Sequence, residues 1–167
     1  MLVILNCIRD EAPRRAFDSH TVPRLAAMAE EEVRLAHLVG DAALPRAART
    51  DRLLITGSEL SAARRNDRDD ELLACIADFL AADAPVLGIC YGHQMLARLV
   101  GGDGVCRRSP TPEFGWKRLA LEQPNPLFDG VEELISAHSH YDEVHALPSS
   151  CQVIAHTDRC AVQAFQL

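Results

Sequence analysis

Pro85-Val86-Leu87-Gly88-Ile89-Cys90-Tyr91-Gly92-His93-Gln94 is a short apolar run that breaks into a G-x-C-x-G turn, and Met95-Leu96-Ala97-Arg98-Leu99-Val100 follows it. The pattern predicts a buried strand meeting a helix at a sharp reversal, with Cys90 at the apex. This is a nucleophile elbow carrying sulfur where a serine oxygen is usual. Gly88 and Gly92 belong there because a side chain at either place would strike the strand or the helix. A cysteine at a helix N-terminus meets unpaired N–H groups and the positive end of the helix dipole, which favour a thiolate. The chemistry named is covalent attack on a carbonyl-type carbon. The base that such chemistry needs lies outside the motif.

Working outward, Leu2–Leu5, Leu53–Ile55 and Val86–Ile89 are continuous apolar runs, the pattern of strands buried on both faces of a parallel sheet. Between them, Pro23 to Glu32 carries Leu25, Met28 and Ala29 on one helical face, and Val33–Val39 reads as a further strand. From Asp69 to Ala82, Leu72, Leu73, Ile76, Phe79 and Leu80 recur at helical spacing behind an acidic first turn. The helix after Cys90 stops at Gly101-Gly102. The alternation is that of an α/β fold, a doubly wound and mostly parallel sheet flanked by helices in the flavodoxin-like or Rossmann-like manner. Past residue 104 the pattern loosens, with strands expected at Gly115–Leu121, Glu133–Ala137, Cys151–Ala155 and Ala161–Phe165. All 167 residues read as one domain.

The balance of 24 acidic against 17 basic residues, net −7, disfavours nucleic acid or an acidic membrane surface as the main partner. No run approaches the roughly 18 apolar residues of a membrane span. Met1-Leu2-Val3-Ile4-Leu5-Asn6-Cys7 has no basic leader and reads as a first strand, not a signal peptide. The six cysteines form no C-x-x-C pair, so reduced thiols in a cytoplasmic setting fit better than disulfides or a thiolate zinc site.

A lone cysteine is usually a small buried hydrophobe. The flanking glycines, the strand before and the helix after tip Cys90 toward chemistry. An oxyanion formed there would be met by the N–H of Tyr91 and by a second donor from a loop after a neighbouring strand, for which Thr56-Gly57-Ser58 stands in the right place. Taken alone, Thr-Gly-Ser is a common turn.

The decamer Pro85–Gln94 resembles the active-site signature of the triad-type class I glutamine amidotransferases. Further segments agree in order: Leu54-Ile55-Thr56-Gly57-Ser58 with the family's oxyanion strand and loop, and Glu113-Phe114-Gly115-Trp116 with its Glu-x-Gly segment. Ser139-His140-Tyr141-Asp142-Glu143-Val144 with Leu147-Pro148 is similar to its Ser-His-x-Asp-x-Val stretch, and Ala161-Val162-Gln163-Ala164-Phe165 to the strand before its last active-site segment. The likeness covers roughly residues 50 to 165 and leans toward the amidotransferase domain of GMP synthases. It implies that Cys90 forms a γ-glutamyl thioester and that the Tyr91 and Ser58 N–H groups hold the oxyanion, although the family usually has glycine where Ser58 stands. It also implies that Gly57, Gln94, Ser139 and Tyr141 contact a glutamine or γ-glutamyl substrate. No cofactor and no metal are implied; an ammonia-accepting synthetase or a second copy of the chain is the partner to expect.

The family's histidine and glutamate lie in a His-Pro-Glu segment, which these residues do not contain. His93, despite its place, does not correspond to that base. His138 and His140 would share one strand face, with Asp142 and His145 close behind. That arrangement suits a metal, or His140 as a structural hydrogen-bonding residue with His138 its neighbour, the reading its family position favours. Glu113 matches a structural position. Two other readings remain: a catalytically silent binding or regulatory domain, and a related cysteine-elbow hydrolase, in which histidine and not Tyr91 would follow the cysteine.

Overall fold

A computed structural model describes residues 1–122 and 125–167. Strands β1 (Leu2–Asn6), β2 (Val33–His37), β3 (Arg52–Ile55) and β4 (Val86–Gly88) form a parallel sheet in the order β2-β1-β3-β4. Helix α1 (Glu11–Ala16), a π-helical turn over Phe17–Thr21 and helix α2 (Val22–Ala29) link the first two strands. Helix α3 (Asp69–Ala81) links β3 to β4, and helix α4 (Tyr91–Gly101) leaves the end of β4. The order is that of an α/β fold with helices around a parallel sheet, as expected.

Parallel pairing puts Val3 beside both Arg34 and Leu53, so β1 is covered on each edge. Its apolar run is continuous because both of its faces are also covered. Val3, Leu5, Leu53 and Ile55 point into one core with Leu72, Ile76 and Phe79 of α3 and Tyr91 and Met95 of α4. Ile4 and Leu54, also buried, alternate to the other face. Each of those large apolar side chains contributes roughly 1.5–3 kcal/mol by leaving water. The acidic first turn of α3 (Asp69, Asp70, Glu71) complements its dipole, as its sequence suggested.

The looser second half is an antiparallel sheet of β5 (Cys106–Leu121), β6 (Leu134–Val144), β7 (Gln152–His156) and β8 (Ala164–Gln166), in the order β6-β5-β7-β8. The β5–β6 ladder pairs Cys106 with Val144, slips between Arg108 and Glu113, and resumes with Glu113 opposite His140 and Gly115 opposite His138. The slip coincides with Ser109-Pro110-Thr111-Pro112, where two residues have no N–H to give. Val144, Cys106 and Val162 join the core of the parallel half, which ties the two sheets together.

Three expectations change. Strand β4 is not buried on both faces: it is the outer strand of its sheet, Leu87 is 46% exposed and Ile89 beyond it 51%. Strands β5 and β6 extend well beyond the segments Gly115–Leu121 and Glu133–Ala137, because pairing resumes after the prolines. The last strand is shorter than Ala161–Phe165, and α1 carried no sequence signal because none of its residues is buried. Among the described residues no helix is long and apolar enough to cross a membrane, and all six cysteines are free.

Candidate active site

Cys90 sits between the last residue of the β4 segment and the first turn of α4 with φ 52° and ψ −106°. An L-residue with a side chain reaches such angles only under strain, of order 1–3 kcal/mol. The surrounding bonds enforce it. The Ile89 N–H donates to Ile55 O (2.9 Å), the Gly92 N–H lies against both Ile89 O (2.9 Å) and Thr56 O (3.2 Å), and the Gln94 N–H closes the first helical turn on Cys90 O (3.0 Å).

Both glycines are sterically required. A Cβ on Gly88 would lie 2.5 Å from the carbonyl of Gly92, and one on Gly92 would lie 2.6 Å from Ile55 O. Gly57 faces the cysteine directly, its would-be Cβ 3.3 Å from Cys90 Cβ and 3.7 Å from Sγ. The loop after β3 is thereby held against the turn. Thr56 fixes it from behind, its Oγ1 accepting from the Cys7 N–H (2.8 Å) and donating to Gly57 O (2.9 Å). The Ser58 hydroxyl turns away to accept from the Leu60 N–H (3.1 Å), leaving the Ser58 N–H toward the cysteine.

Cys90 is exposed, whereas Cys7, Cys75, Cys106 and Cys160 are buried. Burial of the sulfur among neighbouring atoms raises its pKa, and the Tyr91 and Ser58 N–H groups pull it down; Asp142 adds a smaller upward push. The net shift is upward. The helix N-terminus acts in the expected direction but does not by itself produce a thiolate. Burial pushes the other thiols further, Cys7 and Cys106 to about 12 and Cys75 and Cys160 to about 11.

Cys90 opens into a cleft of about 330 Å³ whose wall also includes His93, Gln94, Ser139, His140 and Gln163. The Gln94 amide is buried and donates to Asp142 O (3.1 Å), so it braces the wall. Ser139 reaches the cleft; Tyr141 does not line it. Tyr141 instead lies on the outer face of β6, 4.9 Å from Phe114 ring to ring, with the Arg108 guanidinium 4.2 Å above it. Period-two alternation along β6 separates the two, turning His138, His140 and Asp142 inward and Tyr141 outward.

Two residues matter more than their sequence signal suggested. Asp142 accepts from Ser61 Oγ (2.5 Å) while its carbonyl takes bonds from Gln94 and His140, so it joins the second sheet to the loop beyond Ser58 and to α4. Tyr91 contributes more than a backbone N–H: its ring is fully buried and its hydroxyl bonds to Asp69. His93 has a ring nitrogen, Nε2, that is buried without a partner, and its ring packs 5.0 Å from Phe165. Burial, with His140 nearby, lowers its pKa to about 4. Among the described residues no histidine is hydrogen-bonded to Cys90 Sγ.

The sequence model for the glutamine amidotransferase class-I family matches residues 44–166. A GMP synthase (glutamine-hydrolyzing) of Parafrankia sp. is 44% identical over 87 residues, 52% of this chain and 16% of that protein. One chain of the two-part GMP synthase (glutamine-hydrolyzing) of Methanocaldococcus jannaschii is 37% identical over 93 residues, 55% of this chain and 48% of its own. The chain thus spans less than half the length of these curated relatives. A crystal structure of a glutamine amidotransferase from Methylobacillus flagellatus superposes on 99% of this chain and 65% of its own with a TM-score of 0.79 and 26% identity. One from Thermotoga maritima reaches 0.76 at 19% identity over 99% of this chain and 71% of its own, a likeness of fold.

Proposed function

Because the chain belongs to the glutamine amidotransferase class-I family, we propose that it hydrolyses the side-chain amide of glutamine, or of a γ-glutamyl compound, through a thioester on Cys90. The observation that carries this reading is the meeting of a strained, exposed cysteine with two backbone N–H groups, those of Tyr91 and Ser58, at the mouth of a cleft. Attack of Cys90 Sγ on the amide carbon forms a C–S bond and a tetrahedral oxyanion. The two N–H groups stabilise that charge as it develops, a contribution worth about 3–4 kcal/mol per donor in comparable sites. Breaking the C–N bond releases ammonia, or an amine, and leaves the thioester; water then breaks the C–S bond and restores the thiol. The thiol proton passes to a base and returns to the departing nitrogen. That base is the histidine of the family's His-Pro-Glu segment, which no residue of these 167 supplies.

In this scheme Gly57 keeps the oxyanion loop close to the nucleophile, Gln94 and Ser139 border the substrate, and Tyr141 lies too far outside the cleft to be a contact. Relatives named as single subunits of a GMP synthase support a separate synthetase chain as the acceptor of ammonia. Cys90→Ala should abolish ammonia release from glutamine while the circular dichroism spectrum is unchanged. A diazo-ketone analogue of glutamine should label Cys90 once, with glutamine protecting. Full glutaminase activity in Cys90→Ala overturns the proposal.

One observation favours a second reading, a silent domain that binds without turnover: Cys90 has no histidine partner among the described residues, and its thiol is held above its ordinary pKa. Absence of labelling, under conditions that modify an active amidotransferase, selects that reading.

A further inference from the structure

Glu113, His138 and His140 come together from β5 and β6, on strands whose register sets Glu113 opposite His140 and Gly115 opposite His138. Their inward atoms, Glu113 Oε2, His138 Nδ1 and His140 Nε2, all lie within 4.8 Å of one another. The His140 nitrogen is 3.4 Å from the carboxylate oxygen and the His138 nitrogen 3.9 Å. Two metal bonds of about 2.1 Å at a tetrahedral angle hold their ligand atoms about 3.4 Å apart, so the set is within a side-chain adjustment of a coordination sphere.

The hydrogen bonds outside the cluster fix each group in the form a cation needs. His140 Nδ1 faces the Asp142 carbonyl at 3.0 Å, which can only accept, so Nδ1 carries the proton and Nε2 presents its lone pair to Glu113. His138 Nε2 bonds to Ser136 Oγ at 2.8 Å. That leaves His138 Nδ1 aimed at the carboxylate, on a side chain only 5% exposed, with no hydrogen-bond partner. The other oxygen of Glu113 accepts from Thr157 Oγ1 (3.0 Å). Outer partners of this kind orient imidazole and carboxylate ligands in metal sites. An orphaned buried nitrogen facing a buried carboxylate is otherwise costly.

We propose that Glu113, His138 and His140 bind a zinc-class divalent cation. Two imidazoles and one carboxylate form a borderline donor set, suited to Zn²⁺ or Co²⁺ and poor for the oxygen-seeking Mg²⁺ and Ca²⁺. Three protein ligands leave one position for water, and His138 and His140 both line the cleft into which Cys90 opens, so that position faces the cleft. Gln163 is the group that must yield: its Nε2 donates to Glu113 Oε2 at 2.6 Å and lies 3.4 Å from His140 Nε2, spanning the gap the ion would fill. The site does not depend on the amide chemistry proposed for Cys90.

The test is titration of the chelator-treated protein with Zn²⁺ against a chromophoric competitor, and with Co²⁺ followed by visible absorption. One equivalent of each should bind, Zn²⁺ should raise the melting temperature, and the Co²⁺ spectrum should lack a thiolate charge-transfer band. His138→Ala and Glu113→Gln should each weaken binding by roughly tenfold or more and abolish the thermal shift. His156→Ala, which alters an exposed pair with Glu122, should leave both unchanged. The melting curve of His138→Ala without metal reports folding independently, since the substitution removes an unpartnered nitrogen. Three results overturn the proposal: no stoichiometric binding, binding undiminished in folded His138→Ala, or a thiolate band that disappears in Cys90→Ser.

Discussion

The Tyr91 hydroxyl donates to Asp69 Oδ1 across 2.6 Å in the interior, and the same carboxylate takes Arg98 Nη1 at 2.6 Å through its other oxygen. The residue that follows the nucleophile is thereby anchored by its side chain to α3, while its N–H faces the sulfur. Burial works against the Asp69 charge, but the bonds from Tyr91, Arg98 and the Asn66 N–H, with the Arg98 charge, outweigh it and hold the carboxyl below its ordinary pKa. Burial and that neighbouring carboxylate push the Tyr91 phenol up, so it remains a donor at every working pH.

Tyr91→Phe should therefore cost about 1–2 kcal/mol in urea denaturation, the loss of one hydrogen bond to a charged group. Asp69→Ala should cost more, about 3 kcal/mol, because it strands the Arg98 guanidinium, of which Asp103 holds only the solvent side. Equal costs for the two variants would show that the arrangement is not shared as described.

Gly88→Ala and Gly92→Ala should each lose at least about 2–3 kcal/mol, since the added carbon meets backbone at 2.5–2.6 Å with no flexible atom to move. Gly57→Ala meets only the cysteine side chain at 3.3 Å. It should fold with a change under about 1 kcal/mol yet slow alkylation of Cys90. Thermal melts and iodoacetamide kinetics on the three proteins measure both effects.

For Cys90, the upward shift predicts an alkylation rate that rises with pH and is still climbing at about pH 8.5, near the ordinary thiol value. Subtracting the rate of Cys90→Ser removes the contribution of Cys151, the one other cysteine that is not buried. A plateau below pH 7 would mean that the helix terminus and the two N–H groups prevail over burial after all.

His93 ties stability to pH. Its folded pKa of about 4 lies below the ordinary 6.5, so between these values the unfolded chain binds a proton that the folded one refuses. Stability is complete above pH 6.5 and falls as the pH drops toward 4, by roughly 2–3 kcal/mol at most. His93→Phe keeps a ring against Phe165 and should flatten that slope in denaturation series at pH 7, 6, 5 and 4. An unchanged slope places the titration elsewhere.

The parallel half was readable because its strands are uninterrupted apolar runs, and the turn at Cys90 because glycine spacing there reflects backbone contact. What stayed hidden has physical causes. Pro110 and Pro112 made one long strand look like a loop, although the ladder merely skips them. Leu87 reads as core by composition, but position in a sheet depends on which strands pair, and β4 has a neighbour on one side among the described residues. Register also decided Tyr141: adjacent positions on β6 face opposite ways, and a linear motif does not say which. The Glu113–His138–His140 group joins two strands, so only half of it, the His-x-His pair, stood out in the chain.

The backbone angles at Cys90 have one more consequence. If folding alone chose the residue at position 90, it would choose glycine, for which those angles carry no strain. Stability and chemistry make opposite demands on one atom, the Cβ that carries the sulfur. The roughly 1–3 kcal/mol of strain measures that conflict. Any search for sturdier versions of this protein by stability alone would converge on removing the group that gives it a reaction.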